Sequence, residues 1–160
     1  MITRLTGAFM LISISSILAG CAGTPVPDEV GLRPDGGIPD PAPPPSSPNC
    51  VSSYVDSAAD PEHGADPILR GKISADEARA AIHVLMKGEK RVDILTDIPG
   101  YLHAVQYTAF WKFPDDVEFW FPDDEDVIHF RSAARLGKSD LGVNRKRMDR
   151  IRAAYTVSGD

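Results

Sequence analysis

The sequence predicts an α+β domain of about four antiparallel strands with two helices on one face, in the order α-β-β-β-β-α. Three observations carry this. A capped amphipathic stretch opens at Ser74, strand-like stretches joined by short turns fill 92–133, and a second helical pattern begins near Asp140. Short connections make neighbouring strands antiparallel, and helices kept to the two ends of such a sheet pack together on one side of it.

The first helix is signed at both ends. Ser74 followed three residues later by Glu77 is a capping box, in which each side chain satisfies a backbone N–H of the other. Ala78, Ala81, Ile82 and Leu85 then recur at helical spacing on one face. Gly88 is placed to stop the helix as the residue just past its end.

The strands come next. Val92–Thr96 is short and apolar, and Ile98-Pro99-Gly100 turns the chain. Tyr101–Phe113 alternates along its length: Tyr101, His103, Val105, Tyr107, Ala109, Trp111 and Phe113 share one face, and Leu102, Ala104, Gln106, Thr108, Phe110 and Lys112 the other. Val117–Phe121 and Val127–Ala133 are joined by the polar hairpin loop Pro122-Asp123-Asp124-Glu125-Asp126. The last helix carries Leu141, Asn144, Met148, Ile151 and Tyr155 on one side. The sheet face away from the helices retains aromatic residues, among them Phe110 and Trp120, and needs a cover. The segment 50–72 folded across it is one expectation; a groove for an acyl chain or a partner is the other.

Composition bounds what the domain can be. The chain has 160 residues, 42% of them hydrophobic, and a formal net charge of -6. That is one domain's worth of chain with enough apolar material for a core. Two cysteines, Cys21 and Cys50, exclude a disulfide scaffold and a four-cysteine zinc site. The acidic balance disfavours nucleic acid as a partner.

The N-terminus reads as an address. Arg4 precedes an apolar run from Leu5 to Ile17, too short to span a bilayer and proportioned like a secretory core region. Leu18-Ala19-Gly20-Cys21 resembles the lipobox of bacterial lipoproteins, in which the cysteine thiol becomes a lipid thioether and the chain is cut before it. The resemblance implies cleavage of 1–20, lipidation of Cys21 and a place in the cell envelope, anchored in a membrane. Ala22 after the cysteine favours the outer membrane in a Gram-negative host. Residues 22–49 hold nine prolines and four glycines, the composition of a tether with polyproline II character. The boundaries are therefore a signal peptide over 1–20, a lipidated cysteine and tether over 21–48, one α+β domain over 49–156 and a tail over 157–160.

Four stretches carry a second resemblance. They are Cys50-Val51-Ser52-Ser53, Tyr101-Leu102-His103-Ala104, Asp115-Asp116-Val117-Glu118-Phe119, and the run from Arg131 to Arg147 that contains Arg135-Leu136-Gly137-Lys138-Ser139-Asp140-Leu141-Gly142-Val143-Asn144-Arg145. Together they are similar to a bacterial and plastid family catalogued as domain of unknown function 1499, over about residues 49–154. Members often have Ser at the position of Ala134. The resemblance implies a domain boundary and an envelope setting, and no activity.

Charge is polarised along the domain. Residues 131–152 hold eight basic and two acidic residues, whereas 112–126 hold seven acidic residues and one lysine. Two readings stand. Asp115, Asp116 or Glu118 pair with Arg131, Arg135, Arg145 or Arg147 and fasten the last helix to the sheet, with Ser139 or Asp140 capping it. Alternatively some of Arg131, Arg135, Asn144, Arg145 and Arg147 stay open to an anion or a partner. Asn144, on an otherwise apolar helix side, is expected to bond to the backbone of a neighbouring loop.

Catalytic patterns are weak. Cys50 with His103 or His129, or the carboxylates 115–118, are the hydrolase candidates. His103 and His129 are candidates to face each other across the sheet. His63, His83, His103 and His129 lack metal-ligand spacing, and Asp123–Asp126 lacks the pattern of a calcium loop. No phosphate-binding glycine loop is present and no cofactor is expected. The expectation is an envelope lipoprotein whose domain binds a lipid, an envelope polymer or a protein partner. The alternative is a small envelope hydrolase.

Overall fold

The computed structural model describes residues 26–28 and 30–158, so the signal segment, the lipobox with Cys21 and the last two residues lie outside it. Eight elements follow in chain order: β1 (Cys50–Ser52), β2 (Ile68–Leu69), α1 (Ala75–Gly88), β3 (Val92–Ile98), β4 (Tyr101–Tyr107), β5 (Pro114–Trp120), β6 (Val127–Ala134) and α2 (Val143–Ser158). The class is α+β, with two helices and an antiparallel sheet in the order β1-β6-β5-β4-β3, β2 pairing separately with the start of β6.

Two details of the strand count depart from expectation. The segment 50–72 contributes β1 and β2, so two strands precede the first helix; three and two residues are too short to show alternation in a sequence. The long alternating stretch breaks in the middle. β4 stops at Tyr107, and the Thr108 hydroxyl takes the Phe113 N–H at 2.9 Å while the Phe113 carbonyl takes the Thr108 N–H at 3.0 Å. Residues 108–113 are therefore a hairpin tip, and β5 begins at Pro114.

The helices start where their caps sit. The Ser74 hydroxyl accepts the Glu77 N–H at 3.2 Å, and the Glu77 carboxylate accepts the Ser74 N–H at 2.8 Å. Gly88 is the last helical residue rather than the residue beyond, because Glu89 makes the C-cap in extended backbone. Asp140 opens α2: its carboxylate accepts the N–H of Gly142 at 2.9 Å and of Asn144 at 2.7 Å. Leu141 falls before the helix, in left-handed backbone and 85% exposed, so it does not join the apolar side.

Both helices pack on one sheet face. Ala78, Ile82 and Met86 of α1 and Met148, Ile151 and Tyr155 of α2 meet Val51, Leu102, Ala104, Val117, Phe119, Ile128 and Phe130. This apolar layer supplies the main driving force for folding.

The opposite face carries Tyr101, His103, Asp116, Glu118, Trp120, Arg131 and Cys50, all buried. The sequence predicts a free tether over 22–49, with 50–72 the bland candidate for covering this face. From Val30 on, the proline-rich chain itself lies across the sheet. Val30 and Ala42 are buried, the Trp120 indole donates to the Pro39 carbonyl at 2.9 Å, and the Gly31 N–H points to Glu118. The composition that signals disorder also lowers the entropy lost on docking, since prolines hold φ before and after binding. From Pro27 the strap runs to Ile38 near Gly100 and returns to Asn49. Pro27, Pro43, Pro45 and Asn49 line one pocket with Ala134 and Arg135.

Candidate functional site

The strap covers a polar lattice set by strand register. Pairing of His103 with Glu118 and of Glu118 with Arg131 puts these three in one row across β4, β5 and β6. Val105, Asp116, Ala133 and Cys50 make the next row. Side chains two positions apart on adjacent strands reach one another diagonally. His103 Nε2 thus meets Asp116 Oδ1 at 2.8 Å, and the Tyr101 hydroxyl donates to Glu118 Oε1 at 2.6 Å. Gly31, with φ 85°, brings the strap's backbone onto the His103 ring: a Cβ there would stand 3.5 Å from Nδ1.

Asp116 is the most firmly held carboxylate. Arg135 grips it with Nε to Oδ2 at 2.8 Å and Nη2 to Oδ1 at 2.7 Å, a two-pronged pair suited to arginine. Burial alone would raise the Asp116 carboxyl, but the hydrogen bonds from Arg135 and His103 outweigh it and hold the group below the ordinary carboxylate range. Glu118 goes the other way. Burial raises it, against the Tyr101 hydrogen bond and the charge of Arg131.

Arg131 is the least satisfied cation of this face. Its residue is 6% exposed, its Nη1 donates to Glu118 Oε2 at 3.3 Å, its guanidinium also bonds the Cys50 thiol, and its Nε has no partner. Cys50 lies beside it, and burial lifts the thiol pKa against the pull of that guanidinium. Arg131 and Arg135 line a pocket of about 310 Å³ closed on its far side by Pro27, Val30, Pro43 and Ser47 of the strap.

The remaining sequence candidates fall elsewhere. Asp115, one residue from Asp116, points to the helix side, where Arg147 Nη2 donates to it at 2.6 Å. Burial raises the Asp115 carboxyl, against the opposing charge and hydrogen bond of Arg147. Arg147 also bonds Gln106, Ser132 and Asn144, and the Asn144 amide donates to the Asn49 carbonyl at 3.1 Å, closing a buried network at the root of α2. Arg145 clamps a loop through the carbonyls of Pro61, Glu62 and Gly64 at 3.0–3.2 Å. Asp140 is a helix cap. Of the anion-binding candidates, Arg131 and Arg135 reach the pocket, while Asn144, Arg145 and Arg147 are committed to holding the fold.

Of the hydrolase candidates, Asp116 and Glu118 share one face of β5 with His103, which bonds Asp116, whereas Cys50 and Asp115 stand apart from that histidine. Asp115 and the pair Asp116 and Glu118 lie on opposite faces of β5, so they cannot act as one carboxylate group. A raised thiol pKa keeps Cys50 protonated and weakly nucleophilic. His103 and His129 share a face but stand on β4 and β6 with β5 between them; His129 stacks on Tyr54 with ring centroids 4.2 Å apart. Among the described residues, no cluster of three or more His, Cys, Asp or Glu is placed to hold a metal, and no helix is long and apolar enough to cross a membrane.

Sequence reasoning missed the strap. The available signal was indirect: β5 alternates Asp116, Glu118 and Trp120 with Val117 and Phe119, so the face opposite the core bears charges that a strand buried on both sides must bond internally.

Fold and site define a two-layer α+β domain whose own N-terminal segment seals a charged sheet face. Within that class the chain belongs to the family described as "Protein of unknown function (DUF1499)", whose sequence model matches residues 40–155. No curated protein and no solved structure matches the chain.

Proposed function

We propose that this protein is a lipid-anchored component of the cell envelope, in the outer membrane of a Gram-negative host. In this reading its domain is a non-enzymatic module that binds an anionic group of a lipid, an envelope polymer or a protein partner. The anchor is Cys21, read from the lipobox. The binding place is the pocket between strap and sheet, with Arg131 the residue that meets the anion and Arg135, braced by Asp116, the second wall.

One observation carries the binding reading: a nine-tenths-buried guanidinium whose Nε is unpartnered, on the wall of a 310 Å³ pocket. The buried guanidinium on the pocket wall, bonded to Glu118 at 3.3 Å, carries a charge that a phosphate or carboxylate entering the pocket would complement.

Two experiments test it. Metabolic labelling with palmitate marks the wild-type chain and not the Cys21→Ser chain. Inorganic phosphate raises the melting temperature of the wild type in a saturable way and leaves Arg131→Gln unmoved; equal shifts in both would remove Arg131 from the site.

A further inference from the structure

The end of the domain around the β4–β5 hairpin is built unlike the rest of the surface. Phe110 is 92% exposed and Trp111 78% exposed at the hairpin tip. Pro114 next to the tip accepts the Arg135 N–H at 3.1 Å, which brings the β6–α2 connection alongside. That connection presents Leu136 and Leu141 to solvent, and Val143, the first residue of α2, is exposed beside them and lines one small cavity with Thr108 and Ala109. The two most exposed large apolar side chains among the described residues, Phe110 and Leu141, thus fall on adjacent loops beside Trp111, whereas Leu69, Val84 and Leu95 are scattered elsewhere.

The charges around this patch are basic. Lys112 sits within the hairpin tip and Lys138 within the neighbouring loop, both exposed, and Arg91 flanks them through its Nε bond to the Tyr107 carbonyl at 2.9 Å. Of the nearby carboxylates, Asp140 caps α2 and Glu89 pairs with Arg150 at 3.0 Å, while Asp28 on the strap and Asp93 on β3 are exposed. Asp123, Asp124, Glu125 and Asp126 are at the opposite end, where the Phe121 N–H meets the Gly100 carbonyl. All three described non-glycine residues with positive φ, Arg91, Lys112 and Leu141, belong to the basic apolar end. The backbone there is held in costly conformations that present these side chains outward.

We propose that this end is a membrane-docking tip that sets Trp111 and Phe110 into the interface of a bilayer containing anionic lipid. Tryptophan and phenylalanine favour the boundary between headgroups and acyl chains, and each lysine or arginine near an anionic surface adds attraction. The charge polarity orients the domain, basic tip toward the lipid and acidic loop away from it. The strap supports the same orientation. Pro27 lies in the pocket with Arg135 and Gly137, at the tip end, and Cys21 precedes it by six residues in the sequence. That last argument alone rests on the lipidation proposed above; the tip itself does not.

Trp111 makes the test direct. The other tryptophan, Trp120, is buried. The full-length chain, wild type and Cys21→Ser, is mixed with phosphatidylglycerol–phosphatidylcholine vesicles whose acyl chains carry bromine. The expected result is quenching and a blue shift of tryptophan emission in both chains, abolished by Trp111→Phe. Lys112→Glu with Lys138→Glu weakens it about tenfold. Trp111 left unquenched on chains that co-sediment with the vesicles would overturn the tip while leaving the anchor standing. Quenching undiminished by the two lysine substitutions, or equal in vesicles of phosphatidylcholine alone, would overturn the preference for anionic lipid. Quenching retained in Cys21→Ser, with no palmitate in the wild type, would support the tip and reject the anchor.

Discussion

The indole of Trp120 and the carbonyl of Pro39, 81 residues apart in sequence, share a hydrogen bond of 2.9 Å at the far turn of the strap. Trp120 ends β5, and Pro39 sits where the strap doubles back. This bond, with Ile38 against Gly100, pins the far turn of the strap to the sheet. Trp120→Phe keeps an aromatic ring but removes the donor and part of the indole, leaving a buried carbonyl unpaired. The expected loss is about 1–2 kcal/mol in urea unfolding followed by circular dichroism. Proteolysis between Val30 and Pro48 should accelerate in step; cleavage there as slow as in the wild type would mean the bond does not hold the strap.

The Arg147–Asp115 pair roots α2, with side chains only 4% and 3% exposed. Removing one partner leaves the other charge buried, so Arg147→Met should cost about 3–5 kcal/mol. The double variant Arg147→Met with Asp115→Leu should recover part of that loss, because no charge then remains to be desolvated. Unfolding free energies of the two singles and the double, combined as a cycle, measure the coupling.

Stability should fall in acid through Asp116. Its folded-state pKa lies below the unfolded value, so its contribution is complete above about pH 4 and is lost as pH drops through the depressed folded value. Asp115 and Glu118, both raised, act with the opposite sign: they favour folding at low pH and lose that contribution as pH rises through their folded values. Asp116→Asn should therefore flatten the acid limb of a plot of urea midpoint against pH. Its difference from the wild type should be largest near neutrality and shrink as pH falls through the depressed folded value.

The helix face was legible because its signals are local. The Ser74–Glu77 box, the spacing of Ala78 and Ile82, and the alternation of Leu102 and Ala104 each report on their own neighbours. The hairpin tip was hidden because Thr108 to Phe113 continues the alternation of β4, and only the Thr108 side chain, folded back on Phe113, ends it. The pairing of carboxylates with arginines could be anticipated as a class from charge counts. Which carboxylate meets which arginine follows from register, which puts Asp115 and Asp116 on opposite faces of one strand. The strap was invisible for a deeper reason. Its stability resides in Trp120, Glu118 and His103, residues far along the chain, and nothing within 26–48 announces that a receptor for it exists.

That separation fixes an order of events during biosynthesis. The strap leaves the ribosome before any of the strands it rests on, and Glu118 and Trp120 emerge some eighty residues later. It has no receptor until β4, β5 and β6 have come together. A nascent chain released early, before β6 is made, would expose His103, Asp116 and Glu118 to water with their future cover trailing beside them.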